Sequence, residues 1–128
     1  MPTAILRFPT YILGRLVLLV EDESVVALEM RQTLTAAGVR VLGPAASVNS
    51  ALGLIHGERP HAAILDLKLH GELVTPVARR LREMGVPFAL SSAYDCLRID
   101  EEAFSGVVNL GKPMVLTRCV EVLGRLLA

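Results

Sequence analysis

Short, largely apolar runs recur along this chain at Val17–Val20, Ala62–Leu65, Pro87–Leu90 and Val107–Leu110, each too short for a helix and each followed at once by a polar residue or glycine. Between them lie segments whose apolar residues return at helical intervals. Parallel strands need long crossovers, and a helix is the usual one, so this alternation predicts βαβ units around a parallel sheet.

Five rounds fit the pattern. Arg15–Val20 reads as the first strand, and Val25, Leu28, Leu34 and Ala37 mark a helix that stops at Gly38. Val39–Leu42 reads as the second strand, and Ser47 as the N-cap of a helix running through Ile55. Gly57 and Pro60 punctuate the exit into Ala62–Leu65. Thr75 and Pro76 read as N-cap and first helical residue of a helix that turns Val77, Leu81 and Met84 inward and ends at Gly85. Pro87–Leu90 follows, then a polar stretch from Asp95 to Ser105, the strand Val107–Leu110, and an amphipathic helix from Val115 to Leu127.

Composition narrows the function classes. At 128 residues and 52% hydrophobic the chain has material for one domain with a real core. Thirteen basic residues balance thirteen acidic ones, which removes any global electrostatic ground for binding nucleic acid or an anionic membrane surface. Cys96 and Cys119 make neither a disulfide framework nor a metal-ligand cluster and suit a reducing cytoplasm. Ala4–Val20 is largely apolar, but Arg7, Pro9 and Arg15 interrupt it, so it is neither a membrane span nor a signal peptide. Residues 1–14 read as a leader and 15–128 as the domain.

The polar groups at the run ends carry the functional reading. In an open parallel sheet ligands bind at the carboxyl ends of the strands, so Glu21, Asp22, Asp66, Ser92 and Lys112 would converge if these runs are neighbours. A carboxylate such as Asp66 can attack phosphorus and form an acyl phosphate once cations neutralise the phosphoryl oxygens. Glu21 and Asp22 would hold Mg²⁺, which favours hard oxygen ligands and keeps several waters. Lys112 supplies a compact positive charge and Ser92 a hydroxyl donor. Taken singly, each has an ordinary explanation: acids at a helix start, a serine in a turn, a solvated lysine. Their placement at four run ends in matching order is what makes a site.

These residues resemble the receiver domains of two-component response regulators over roughly residues 15–128. The resemblance rests on Leu18-Leu19-Val20-Glu21-Asp22-Glu23, Ile64-Leu65-Asp66, the strand leading to Ser92-Ala93, and Gly111-Lys112-Pro113. It implies an α/β, flavodoxin-like fold, a doubly wound five-stranded parallel sheet flanked by five helices. It implies phosphorylation of Asp66 by a histidine kinase or histidine phosphotransfer protein, with Mg²⁺ held by Glu21, Asp22, Asp66 and the backbone carbonyl of Lys68. In such domains the hydroxyl residue, here Ser92, moves toward the phosphoryl group as a side chain three residues before the lysine rotates inward. That side chain is usually aromatic; here the position is Asn109, and Tyr94 is the alternative switch residue. Phe88–Tyr94 resembles the strand-end motif of a subgroup of single-domain bacterial receivers.

The function this implies is a cytoplasmic phosphoacceptor and not an enzyme acting on other substrates. It would signal to a downstream protein as a monomer or weak dimer, without direct nucleic-acid contact or membrane insertion. Two rivals stand beside it. A receiver-like binding module would work without phosphorylation. A phosphohydrolase with an aspartate nucleophile usually carries a second aspartate two residues on, where this chain has Lys68.

Overall fold

The structure is a computed structural model, and it describes residues 9–93 and 102–128. Tyr94, Cys96, most of the polar stretch beginning at Asp95, and the first eight residues lie outside the described residues. In chain order the elements are β1 (Leu16–Val20), α1 (Ser24–Ala36), β2 (Arg40–Ala45), α2 (Val48–Gly57), β3 (Ala62–Leu65), β4 (Lys68–Leu69), β5 (Glu72–Leu73), α3 (Thr75–Glu83), β6 (Phe88–Leu90) and α4 (Leu116–Leu126). The main sheet is parallel and ordered β2-β1-β3-β6, while β4 and β5 form a separate antiparallel hairpin.

The wholly apolar strands follow from burial on both faces. Successive side chains of a strand point to opposite sides. Leu18, Val20, Ala63 and Leu65 therefore face one core with Ala51 and Ile55 of α2 and Val77 and Leu81 of α3. Val17, Leu19, Ala62 and Ile64 face a second core with Met30 and Leu34 of α1 and Cys119 and Leu123 of α4. A strand buried on both sides has no polar face to alternate with, so β1 and β3 read as continuous runs. Two helices on each face make the sheet doubly wound, the flavodoxin-like receiver architecture expected from the sequence.

Three expectations need correction. Val107–Leu110 does not form a full fifth strand; it meets the sheet through a single parallel bridge between Leu90 and Asn109. Leu90 N donates to Val108 O at 2.8 Å and Leu110 N to Leu90 O at 2.7 Å. β6 is only three residues long, and the extended segment is bounded by Gly106 and Gly111 at φ 74° and 73°, so little ladder is available to either. Among the described residues there are four α-helices instead of five, with a 3₁₀ turn at Glu102–Phe104 in the polar stretch. Thr75 does not cap α3 but is its first residue; Val74 holds the N-cap position, and Thr75 Oγ1 is buried with no partner among the described residues. Ser47 does cap α2, accepting from Ser50 N at 3.1 Å.

β2 runs on past Leu42 through a bulge. Gly43, at φ 104°, breaks the register with β1, and a Cβ there would stand 2.8 Å from both Leu19 O and Ala45 N. Residues before β1 also join the fold: Ile12 is fully buried, and Tyr11 donates its hydroxyl to Gly124 O at 2.7 Å. Among the described residues no helix is long and apolar enough to cross a membrane.

Candidate functional site

Main-chain pairing carries the chain one residue past each strand and so places the polar groups. Glu21 N donates to Ala45 O, Asp66 N to Val20 O and Ser91 N to Leu65 O, each at 2.9 Å. The chain leaves β1 toward β2 on one side and returns to β3 on the other, so the carboxyl ends of β1 and β3 flank the point where strand order reverses. Glu21, Asp22 and Asp66 meet there, each offering a carboxylate oxygen within 4.8 Å of the others.

The Lys112 ammonium bridges two of these acids. Lys112 Nζ stands 2.6 Å from Glu21 Oε1 and 3.1 Å from Asp66 Oδ2. Burial is the main cause that pushes the Glu21 carboxyl from 4.5 up to about 7, and the nearby Asp66 and Asp22 add to it; Lys112 and the Glu23 amide recover only part of the cost. Burial opposes ionisation of Asp22 as well, but the His70 amide and the Glu21 side chain outweigh it and hold the carboxyl below its ordinary value. For Lys112 burial is likewise overridden, by Glu21 and Asp66, so the ammonium is held above the usual lysine range.

The donor set fits a hard divalent cation. It consists of carboxylate oxygens, two of the three residues are buried, and burial together with the neighbouring acids raises Glu21, a cost that a divalent charge would offset. A cavity of about 440 Å³ opens over the cluster, lined among others by Asp22, Asp66, Lys68, His70, Ala93 and Lys112. That is room for an ion with its waters and a phosphoryl-sized group.

Of the residues singled out in the sequence, Glu21, Asp22, Asp66 and Lys112 are thus in mutual contact or nearly so, and Lys68 lines the rim. Ser92 is buried, one residue before Ala93 of the cavity wall, and Asn109 reaches it directly: Ser92 N donates to Asn109 Oδ1 at 3.0 Å and Asn109 Nδ2 to Ser92 O at 3.1 Å. Tyr94, the other switch candidate, lies outside the described residues. Cys119 is buried, its thiol pushed up to about 12 by burial, which suits a small hydrophobe and no thiolate chemistry.

Two neighbours escaped the sequence reading. The β4–β5 hairpin turns at His70-Gly71, both at positive φ (51° and 83°), and presents His70 N to Asp22 Oδ2 at 2.8 Å with the imidazole Nδ1 3.6 Å away. A two-residue turn ending in glycine, with Leu69 before it and Leu73 shortly after, was the available signal. Ser91, fully buried, donates Oγ to Gly111 O at 2.9 Å; no sequence signal separates it from any other strand-end serine.

No protein-family model and no curated protein matches the chain. Solved structures do. SdrG from Sphingomonas melonis Fr1 superimposes with a TM-score of 0.76 at 28% identity, the match covering 91% of this chain and 98% of SdrG. The BeF3-activated conformation of SdrG from Pseudomonas melonis Fr1 gives a TM-score of 0.74 at 28% identity over 88% of this chain and 96% of that one. The anti-anti-sigma factor PhyR from Bartonella quintana gives 0.77 at 18% identity over 90% of this chain but 48% of PhyR, so this chain spans about half of PhyR's length. The chain has the receiver fold of response regulators, and single-domain receivers are among its structural neighbours.

Proposed function

We propose that this chain is a phosphoacceptor receiver in which Asp66 takes a phosphoryl group from a histidine kinase or histidine phosphotransfer protein. The observation that carries the reading is the contact of Asp66 with Lys112, 3.1 Å, inside a three-carboxylate cluster at the switch point of the sheet. An Asp66 carboxylate oxygen attacks phosphorus in line; the new P–O bond forms as the P–N bond to the donor histidine breaks, and the imidazole keeps that electron pair and leaves neutral because its other ring nitrogen carries a proton. Lys112 follows the negative charge from the carboxylate to a phosphoryl oxygen, and Ser92 donates its hydroxyl to another. Glu21, Asp22, Asp66 and the Lys68 carbonyl would hold Mg²⁺, whose charge offsets that of the phosphoryl oxygens. The stabilisation of SdrG in a BeF3-activated conformation, BeF3 being a phosphoryl mimic, supports the same chemistry here. The output passes to a protein partner, in the cytoplasm, from a monomer or weak dimer.

Intact mass after incubation with acetyl phosphate tests the reading. One added phosphoryl group that requires both Mg²⁺ and Asp66 is the expected result, and Asp66→Asn stays unmodified. No adduct and no phosphate release from wild type would leave the phosphorylation-independent binding module. Phosphate release without an adduct would bring back the hydrolase.

A further inference from the structure

The loop that carries Ser92 and the loop that carries Lys112 are cross-braced by two buried or half-buried side chains. Asn109 closes a two-bond ring with the main chain of Ser92, at 3.0 and 3.1 Å, and its Oδ1 also accepts from Gly111 N at 3.0 Å. Ser91 Oγ donates to Gly111 O at 2.9 Å. Both main-chain groups of Gly111, the residue before Lys112, are therefore taken by side chains that belong to or grip the Ser92 loop. The main-chain ladder between these segments stops at the Leu90–Asn109 bridge, and the Asn109 amide extends it to Ser92 by imitating a peptide group.

We propose that Asn109 and Ser91 are positioning residues that lock the Ser92 and Lys112 loops into one body, so that the hydroxyl and the ammonium are presented to a phosphoryl group together. This rests on the receiver reading and specifies how its two phosphoryl-facing loops are coupled. The brace grips the main chain of Ser92 and of Gly111, the residue before Lys112. With the brace intact, neither loop withdraws from the acyl phosphate alone, and water reaches phosphorus less often.

Two readouts test the proposal on the whole chain. Amide hydrogen exchange reports the brace itself: Asn109→Leu should speed exchange at Ser92 and Gly111 by about tenfold, while Leu90 and Leu110, held by main-chain bonds, keep wild-type rates. Asn109→Asp keeps both acceptor bonds and should leave the two amides protected. The half-life of the phosphorylated form, made with acetyl phosphate and Mg²⁺, reports the coupling: Asn109→Leu and Ser91→Ala should each shorten it by about fivefold or more. Tyr11→Phe, which removes a 2.7 Å bond to Gly124 before β1, is the control for a general loss of stability and should not shorten it. Unchanged exchange at Ser92 and Gly111 in Asn109→Leu overturns the brace, as does a half-life that falls equally in Tyr11→Phe. If wild type takes no phosphoryl group at all, the receiver reading fails by that result, and the exchange rates still decide the brace.

Discussion

Glu21, 1% exposed, holds Lys112 Nζ at 2.6 Å, yet its carboxyl is pushed up to about 7. An ion pair this short would ordinarily favour the charged acid. Desolvation wins because Lys112 is shared with Asp66 and a third carboxylate, Asp22, stands alongside.

The first prediction concerns pH. The folded Glu21 binds its proton more tightly than the unfolded chain does, so the fold holds more protons between about 4.5 and 7. Stability from this group is then greatest below the unfolded value and falls as pH rises through that window, by about 3 kcal/mol at most. Asp22 has the opposite sign, since its lowered value adds stability that is lost on acidification below its range. Glu21→Gln should flatten the neutral-range slope and make the metal-free protein more stable at pH 8. On the proposed function, Mg²⁺ should stabilise the wild type and not this variant. Thermal unfolding at pH 5.5 and 8, with and without Mg²⁺, checks all three.

Lys112 neutralises Glu21 and Asp66, and on the proposed function it would compete with a divalent cation for them. Lys112→Ala leaves Glu21 and Asp66 without this ammonium and should cost about 1.5–3 kcal/mol at pH 8, the range for a hydrogen bond to a charged group. The same substitution should tighten Mg²⁺ binding, because no resident cation has to give way. Calorimetric titration with MgCl₂ separates the two effects, and weaker Mg²⁺ binding in the variant would count against the shared-ligand geometry.

Arg82 ties α3 to the end of the polar stretch. Its Nε donates to Ala103 O at 2.6 Å and Nη2 to Ser105 O at 2.7 Å, with the guanidinium 5.6 Å above the Phe88 ring. Arg82→Ala should cost about 1–2 kcal/mol in urea unfolding, and Arg82→Lys should recover little of it, since an ammonium cannot fork to two carbonyls and stack at once. A full rescue by lysine would mean that charge alone matters there.

How far the sequence disclosed this molecule depended on whether a feature is set locally. β1 and β3 were legible because both of their faces are covered, which leaves a wholly apolar run bounded by polar residues. Val107–Leu110 is interrupted by Asn109 and only half-buried, and it makes one bridge, because a strand also needs a partner of matching length and β6 has three residues. The sequence pattern ends the second strand at Leu42, whereas Gly43 makes a bulge and β2 runs on to Ala45. The convergence of Glu21, Asp22, Asp66 and Lys112 followed from strand order. The grips of Asn109 on Ser92 and of His70 on Asp22 did not, because each depends on where a main-chain amide lies across a gap of many residues.

The His70-Gly71 turn offers a test of whether Asp22 is held by a backbone or a side chain. His70 sits at φ 51°, a region that costs most L-residues and that asparagine tolerates better. Asn-Gly is the favoured pair for a two-residue turn with both residues at positive φ. His70→Asn should therefore raise stability by a few tenths to about 1 kcal/mol while keeping the amide that donates to Asp22 Oδ2 at 2.8 Å. Mg²⁺ affinity should stay within about twofold of wild type if the amide is the part that positions Asp22. Gly71→Val removes the freedom for φ 83° and should distort the turn, shift that amide and weaken Mg²⁺ binding together with stability. Weaker Mg²⁺ binding in His70→Asn with the fold intact would show that the imidazole, 3.6 Å from Asp22, does the holding.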